Sequence, residues 1–263
     1  MRPGRSRDGY PARMSANLTW LGHSAVRLTL PDGRVILIDP WLSGNPSCPS
    51  REKQQARCDL LILTHGHADH VGDAEALIRK FDPPVVANYD LCCALQKTIG
   101  VGRYQGMNTG GTQRVAGVTV RMTRAYHSSA LDAPQGLMYA GMPNGVIVEA
   151  PGVASVYHAG DTDVFSDMAD TDVFSDMALI ARMWSPKIAC LPIGDLFTMG
   201  AQGAALAAEM LQPAAILPIH YRTFPVLAGS AEEFRRALPA TLRDRVVTLE
   251  PGTAVAWTAE GLG

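Results

Sequence analysis

The densest grouping of ligand-capable side chains in the sequence is His65-Gly66-His67-Ala68-Asp69-His70, set directly behind the apolar run Leu60-Leu61-Ile62-Leu63-Thr64. Imidazole nitrogens and a carboxylate at this density point to metal binding. The spacing supports that chemistry. On an extended segment, residues i and i+2 project the same way, so His65 and His67 can grip one ion; Asp69 and His70 fall on the following turn and can face a second. An isolated histidine at a strand end usually caps a turn, but four donors within six residues argue against that plainer explanation.

The other histidines extend the set. All seven, His23, His65, His67, His70, His127, His158 and His220, fall at predicted strand ends or in tight turns, and none decorates a helix surface. His127 ends the run Val118 to Tyr126, and His220 ends Ala215 to Ile219. Asp161 follows His158-Ala159-Gly160, where Gly160 permits a close backbone turn. Each of these alone is more often structural than ligating; beside the 65–70 cluster they become candidates. Asp39, at the end of Val35 to Ile38, can accept the free N–H of a ligand histidine or cap the turn at Pro40. His23 can line a pocket, bind substrate, or sit as a satisfied loop histidine. Tyr221 and Arg222, next to His220, can meet a substrate phosphate or carboxylate, whereas arginine on a loop is commonly just solvated.

The elements that must position these residues read as follows. Strand patterns occur at Thr19 to Leu30, Val35 to Ile38, Leu60 to Thr64, Val85 to Asn88, Val115 to Thr123, Val146 to Glu149 and Ser155 to His158. Four more fall at Ile188 to Pro192, Ala215 to Ile219, Val246 to Leu249 and Ala254 to Trp257. Helical patterns cover Asp69 to Lys80, Leu91 to Ile99, Asp176 to Trp184, Ala201 to Leu211 and Ala231 to Leu238. Early strands come as meanders and later ones alternate with helices, which predicts an α/β protein of four layers, αββα, with two sheets face to face and helices outside.

Bulk properties bound the function. The 263 residues suit one layered domain, expected over 17–263, behind a disordered leader over 1–16 that carries Arg2, Arg5, Arg7 and Arg13. A formal charge of −2 with interspersed signs gives no footprint for nucleic acid or an anionic membrane, so a small-molecule substrate is expected. No apolar stretch approaches the roughly 18 residues of a spanning helix, and no signal-peptide core is visible. Five cysteines, Cys48, Cys58, Cys92, Cys93 and Cys190, form an odd set without Cys-x-x-Cys spacing. They argue against a disulfide framework or a zinc ribbon and for a reducing, cytoplasmic setting.

The sequence resembles the metallo-β-lactamase superfamily, whose His-x-His-x-Asp-His signature is matched in full by residues 65–70. Within it, the chain is most similar to bacterial metal-dependent hydrolases related to L-ascorbate-6-phosphate lactonase. The segments that carry this similarity include Trp20-Leu21-Gly22-His23-Ser24, Ile38-Asp39-Pro40-Trp41, His158-Ala159-Gly160-Asp161-Thr162 and His220-Tyr221-Arg222-Thr223-Phe224-Pro225. The resemblance implies the metallo-β-lactamase fold, with His65, His67 and His127 on one divalent ion, Asp69, His70 and His220 on another, and Asp161 bridging them. Imidazole and carboxylate donors without thiolate suit Zn²⁺ first, with Mn²⁺ or Fe²⁺ as alternatives. It further implies hydrolysis of a small ester, lactone or phosphoester by a metal-bridging hydroxide, with Asp69 and His220 as catalytic residues; Asp69 can steer the hydroxide or pass its proton to the leaving group. Homo-oligomers are common among such relatives.

Other functions fit less well. A secreted β-lactamase needs export, a nuclease of this superfamily a basic groove and an extra domain, and a thioesterase of the glyoxalase II kind helices at the carboxyl end, where this chain has the strand-like Val246 to Trp257. A metal-binding or sensory protein of the same fold without efficient turnover is the alternative from another class.

One further feature stands apart. Residues 161–169, Asp-Thr-Asp-Val-Phe-Ser-Asp-Met-Ala, recur unchanged at 170–178, a tandem duplication too short for a repeat architecture. Val173, Phe174, Met177, Ala181 and Trp184 form one apolar stripe at helical spacing, so the second copy should belong to the helix. Lengthening that helix by nine residues would turn the first copy's apolar set about half a revolution away. The first copy is therefore expected as an extra loop or short turn at the pocket rim. Asp161 keeps the strand-end context and Asp170 does not, which makes Asp161 the bridging candidate.

Overall fold

Apolar runs rich in Val, Ile and Leu that break at turn residues become strands, and the computed structural model describes them over residues 15–164 and 176–263. The first half of the chain supplies β1 (Asn17–Gly22), β2 (Ala25–Thr29), β3 (Val35–Ile38), β4 (Leu60–Ile62), β5 (Pro84–Asn88), β6 (Arg103–Met107), β7 (Thr112–Val115) and β8 (Val118–Arg124). The second supplies β9 (Ala130–Ala133), β10 (Gly136–Tyr139), β11 (Asn144–Glu149), β12 (Val156–His158), β13 (Ile188–Pro192), β14 (Ala215–Ile219) and β15 (Ala254–Ala256). The helices are α1 (Ala68–Val71), α2 (Ala74–Phe81), α3 (Tyr89–Ile99), α4 (Asp176–Trp184), α5 (Ala201–Leu211), α6 (Ala231–Ala237) and α7 (Ala240–Arg243).

One sheet runs β15-β1-β2-β3-β4-β5-β6 and the other β14-β13-β12-β11-β8-β7, with β9 and β10 forming a separate hairpin. The period of two along each strand divides the first sheet cleanly. Leu18, Trp20, Val26, Leu28, Ile36, Ile38, Leu60 and Ile62 enter the core shared with Val120, Met122, Val146 and Val148 of the second sheet. The alternate residues, Leu21, Ala25, Leu37, Leu61 and Val85, face Leu77 and Ile78 of α2 and Leu91 and Leu95 of α3. Helix α5 carries Ala204, Ala207, Ala208 and Leu211 onto the second sheet's remaining strands, and α4 and α6 pack against α5. The layers are thus αββα, the metallo-β-lactamase arrangement that the sequence predicts.

Within each sheet the parallel stretches β3-β4-β5-β6 and β12-β13-β14 share a direction, so their carboxyl ends lie together. In α/β sheets that edge is where ligands are bound, because the loops leaving it are free to carry polar groups. Residues Asp39, His65, Asp161 and His220 all follow such strand ends.

Strands β3, β13 and β14 and helices α4 and α5 keep the expected bounds. Elsewhere the chain turns where the pattern reads through. Thr19 to Leu30 is a hairpin, because His23 takes a left-handed conformation (φ 54°). Val115 to Thr123 is another, reversed at Ala116 (φ 47°) and Gly117 (φ 75°), both of positive φ as two-residue hairpin turns require. The helix expected over Asp69 to Lys80 is interrupted at Gly72-Asp73. There Asp73 Oδ2 accepts the N–H groups of Leu42 (2.6 Å) and Ser43 (2.9 Å), while its own N–H donates to Pro40 O at 3.0 Å. Of the expected strand Val246 to Leu249, only a single bridge from Val246 to Ile216 forms. Strands β6, β9 and β10 have little β-branched pattern and are not foreseen.

Ala16 is buried and its carbonyl accepts Trp257 N–H at 2.9 Å, so packed structure begins before the expected limit of the leader. Residues 1–14, the rest of that leader, lie outside the described residues, as do 165–175 of the duplication, including Asp170 and the expected extra loop.

Close packing at the strand ends gives a test. A Cβ on Gly194, just after β13, would lie 2.1 Å from His220 O. Gly194→Ala must therefore push β13 from β14, an overpacking cost of about 2 kcal/mol. That corresponds to a thermal midpoint lower by roughly 4–8 °C for a chain of this size, measured by calorimetry. An unchanged midpoint would show that the two strand ends can separate freely.

Candidate metal centre

His65 follows β4 and is fully buried; His67 is the residue before α1, and Asp69 and His70 lie within α1. The short helix after an extended His65-Gly66-His67 segment splits the donors into two groups. His65 Nε2 and His67 Nδ1 lie 3.0 Å apart, and His127 joins them with ring centroids 5.3 and 5.2 Å from theirs. The facing nitrogens of these three all lie within 4.8 Å of one another. Asp69, His70, His220 and His23 form the second group at the same separation.

Asp161 stands between the groups. Its Oδ1 is 3.3 Å from His70 Nε2, and its Oδ2 is 3.0 Å from His220 Nε2 and 3.7 Å from His127 Nε2. The backbone that presents it turns at Gly160 (φ 65°), where a Cβ would meet Asn144 O at 2.5 Å. Tyr126 N–H donates to Thr162 Oγ1 at 2.9 Å, tying the loop that bears His127 to the Asp161 segment.

Asp39 orients the histidines from behind. Its Oδ2 accepts His70 Nδ1–H at 2.8 Å and the Thr64 hydroxyl at 2.6 Å, and its Oδ1 accepts Thr64 N–H at 2.8 Å. Thr64 Oγ1, having donated to Asp39, accepts His65 Nδ1–H at 3.0 Å. One buried carboxylate thereby fixes the tautomers of His65 and His70, leaving each Nε2 lone pair aimed forward.

Electrostatics follow from burial and these neighbours. Burial opposes charge on His70, but the carboxylates of Asp161 and Asp39 outweigh it and hold the imidazole well above its ordinary range. Burial works against Asp161 too, yet His220 and His70 hold its carboxyl well below the usual range. His65 is pushed well down by burial and by neighbouring His70, and burial pushes His23 down to about 4.

This donor set fits a divalent cation. His70 Nε2, both ring nitrogens of His220 and Asp161 Oδ1 are buried and make no hydrogen bond, although both Nε2 atoms face the Asp161 carboxylate. Leaving such groups unpaired costs roughly 1–3 kcal/mol each, and a cation is the species that satisfies lone pairs converging from imidazole and carboxylate together. No cysteine approaches the group among the described residues.

The remaining candidates divide. His158, a strand-end histidine like the others, is spoken for: its Nε2 donates to Ser24 O at 2.8 Å and its Nδ1 accepts Gly160 N–H at 3.1 Å. His23 packs on His220 with ring centroids 3.9 Å apart and reaches Asp69. Tyr221 and Arg222 depart from the sequence expectation. Tyr221 is buried and stacks on Trp20 at 5.4 Å, and Arg222, 63% exposed, turns to Glu232 at 4.0 Å, since a left-handed backbone at 222 (φ 57°) aims it outward. Neither lines the cavity at the centre, about 320 Å³, whose described walls are His67, Asp69, His127, Ser128, Asp161, Phe197 and His220. Thr64, Thr223, Ser128 and Phe197 are given no role by the sequence; Thr64 adjoins the histidine motif, Thr223 and Phe197 lie in segments that share the family resemblance, and Ser128 carries no signal beyond its place beside His127.

With this geometry in place, comparison defines the class. The beta-lactamase superfamily domain matches residues 34–221, and the chain belongs to that family. More narrowly, it is 45% identical over 219 residues to a UPF0173 metal-dependent hydrolase of Koribacter versatilis, covering 83% of this chain and 90% of that one. A UPF0173 metal-dependent hydrolase of Archaeoglobus fulgidus is 41% identical, with coverages of 89% and 96%. Among solved structures, Igni18, a metallo hydrolase from Ignicoccus hospitalis, superposes with a TM-score of 0.78 at 33% identity, covering 92% of this chain and 98% of that one. The protein is a metal-dependent hydrolase of the metallo-β-lactamase family.

Burial of neutral histidines sets an acid limit. His23, His65 and His158 have folded pKa values below that of the unfolded chain, about 6.5. Their stabilisation is complete above that value and is lost as pH falls towards the folded values, since the unfolded chain binds protons that the fold refuses. His70, raised in the fold, opposes this trend only near the top of the window, its stabilisation being complete once the pH is well below the unfolded value. The thermal midpoint of metal-free protein should therefore fall as pH drops from about 6.5 to 4; a flat profile would contradict the neutral state of these three rings.

Proposed function

We propose that His65, His67 and His127 hold one divalent cation, that Asp69, His70 and His220 hold a second, and that Asp161 bridges them for hydrolysis of a small ester or lactone. The observation that carries this reading is the buried Asp161 carboxylate reaching donors of both groups, with buried atoms of His70, His220 and Asp161 itself that make no hydrogen bond. The donor chemistry favours Zn²⁺, with Mn²⁺ or Fe²⁺ as alternatives. When bound, such a pair supplies an activated water near neutral pH and polarises the electrophile.

The chain's own residues do the rest. Asp69 lines the cavity with a partly exposed carboxylate, so the oxygen not engaged by His23 is free to face the second cation. Phe197 gives the cavity an apolar wall, and its volume suits a small molecule. The sequence resemblance to ascorbate-6-phosphate lactonase supports the ring-opening half of that chemistry. Recognition of a phosphate is weaker, since no lysine or arginine is among the described wall residues and Arg222 faces Glu232. Neutral esters and lactones are accordingly favoured over phosphoesters. Five unpaired thiols support a reducing compartment.

Metal analysis and kinetics test this reading. Reconstituted protein should carry two ions per chain, and chelation should abolish turnover. Asp161→Asn should lose metal and reduce kcat/KM by at least about 100-fold, with neutral lactones turned over faster than phosphorylated ones. Full metal occupancy and undiminished turnover in Asp161→Asn would reject the bridge.

A further inference from the structure

His23 sits in the turn between β1 and β2, 200 positions in sequence from one of its partners, Thr223, and is completely buried. Its Nε2 lies 3.0 Å from Asp69 Oδ2 and its Nδ1 2.9 Å from Thr223 Oγ1. A carboxylate that presents an oxygen to a cation does so in its ionised form. An ionised carboxylate only accepts, so His23 Nε2 carries the hydrogen and donates it. Nδ1 is then a lone pair, and Thr223 must donate its hydroxyl hydrogen to it. The direction of the whole chain, Thr223 to His23 to Asp69, is fixed by these valences.

His23 could instead be a metal ligand, since it belongs to the group of His23, Asp69, His70 and His220. The hydrogen bonds separate the two roles. Both nitrogens of His23 are satisfied within the protein, whereas His70 Nε2 and both nitrogens of His220 are not. A ligand needs a free lone pair facing the ion, and the only lone pair of His23 is covered by Thr223. The ring is also clamped mechanically, by His220 at 3.9 Å and by the edge contact with Trp41 at 5.3 Å. The His220 N–H donates to His23 O at 2.9 Å, so the β1–β2 turn and the end of β14 move as one body.

We propose that His23 and Thr223 form a positioning relay that fixes one oxygen of Asp69, so that its other oxygen is presented to the second cation. This rests on the two-ion reading above. Asp69 is the exposed member of its group, 32% accessible at the side chain, and without His23 nothing else among the described contacts fixes its carboxylate. Removing a hydrogen-bond partner that orients a ligand typically weakens metal affinity by about 10- to 100-fold.

Stepwise calorimetric titration of metal-free, full-length protein with Zn²⁺ tests the relay. The wild type should show two binding events. His23→Phe keeps the ring packed between His220 and Trp41 but removes the donor, and should weaken one event by about 10- to 100-fold while leaving the other unchanged. His23→Gln restores an N–H donor towards Asp69 and should recover most of the loss. Unaltered affinity for both ions in His23→Phe overturns the proposal. Equal loss in His23→Phe and His23→Gln also overturns it, because the imidazole would then be ligating the ion itself. Should His23→Phe fail to fold, Thr223→Val decides: a smaller loss in the same single event is expected, and no loss overturns the relay. A wild type that binds only one ion defeats the two-ion reading, and the relay with it.

Discussion

A carboxylate buried at 2% exposure among three imidazoles is the constraint around which the rest of this structure is arranged. Asp161 cannot be paid for by solvation, and its ionised state is maintained only by positive charge held close to it. His70 can supply that charge as a proton, or a divalent cation can supply it while engaging the same nitrogens. The second arrangement engages His70 Nε2, His220 Nε2 and Asp161 Oδ1, buried atoms that otherwise make no hydrogen bond. Asp39 and Thr64 make it specific, because they take up the rear hydrogens of His65 and His70 and leave only the front nitrogens for an ion.

Holding these groups requires backbone conformations that side-chained residues adopt reluctantly. His23, Asp39, His220 and Arg222 all have positive φ, between 47° and 57°. Such residues cost of order 1–3 kcal/mol each and persist where surrounding structure fixes them. Here the compensation comes from two apolar layers, one between the sheets and one beneath α2 and α3, that lock the strands preceding each turn. Stability of the core is in this sense converted into precision at the strand ends. Gly194, pressed against the His220 carbonyl, shows how little slack that coupling leaves.

Four of the seven proposed donors were legible from spacing because they are contiguous. His65 to His70 are six consecutive residues after an apolar strand, and strand geometry followed by a helical turn divides them whatever the rest of the fold does. By spacing alone, without the family resemblance, His127, Asp161 and His220 were readable only as strand-end residues, a description that His158 satisfies equally well. What separates them is the neighbourhood: His158 meets Ser24 O and Gly160 N–H, whereas His220 meets no hydrogen-bonding partner at either nitrogen. Tyr221 and Arg222 misled for the related reason that adjacency to a ligand in sequence says nothing about side-chain direction when the backbone reverses its hand at 220 and 222.

The amino-acid sequence by itself determined the strands with strong two-residue periodicity, the helices α4 and α5, the layered class and the chemical type of the centre, since all of these depend on local pattern and on donor identity. Only the tertiary structure decided which histidines face one another, where the chain reverses inside an unbroken apolar run, and that Thr223 touches His23 across 200 positions. Those outcomes depend on the joining of strand ends from two sheets, and no short-range property of the chain records how two distant turns will meet.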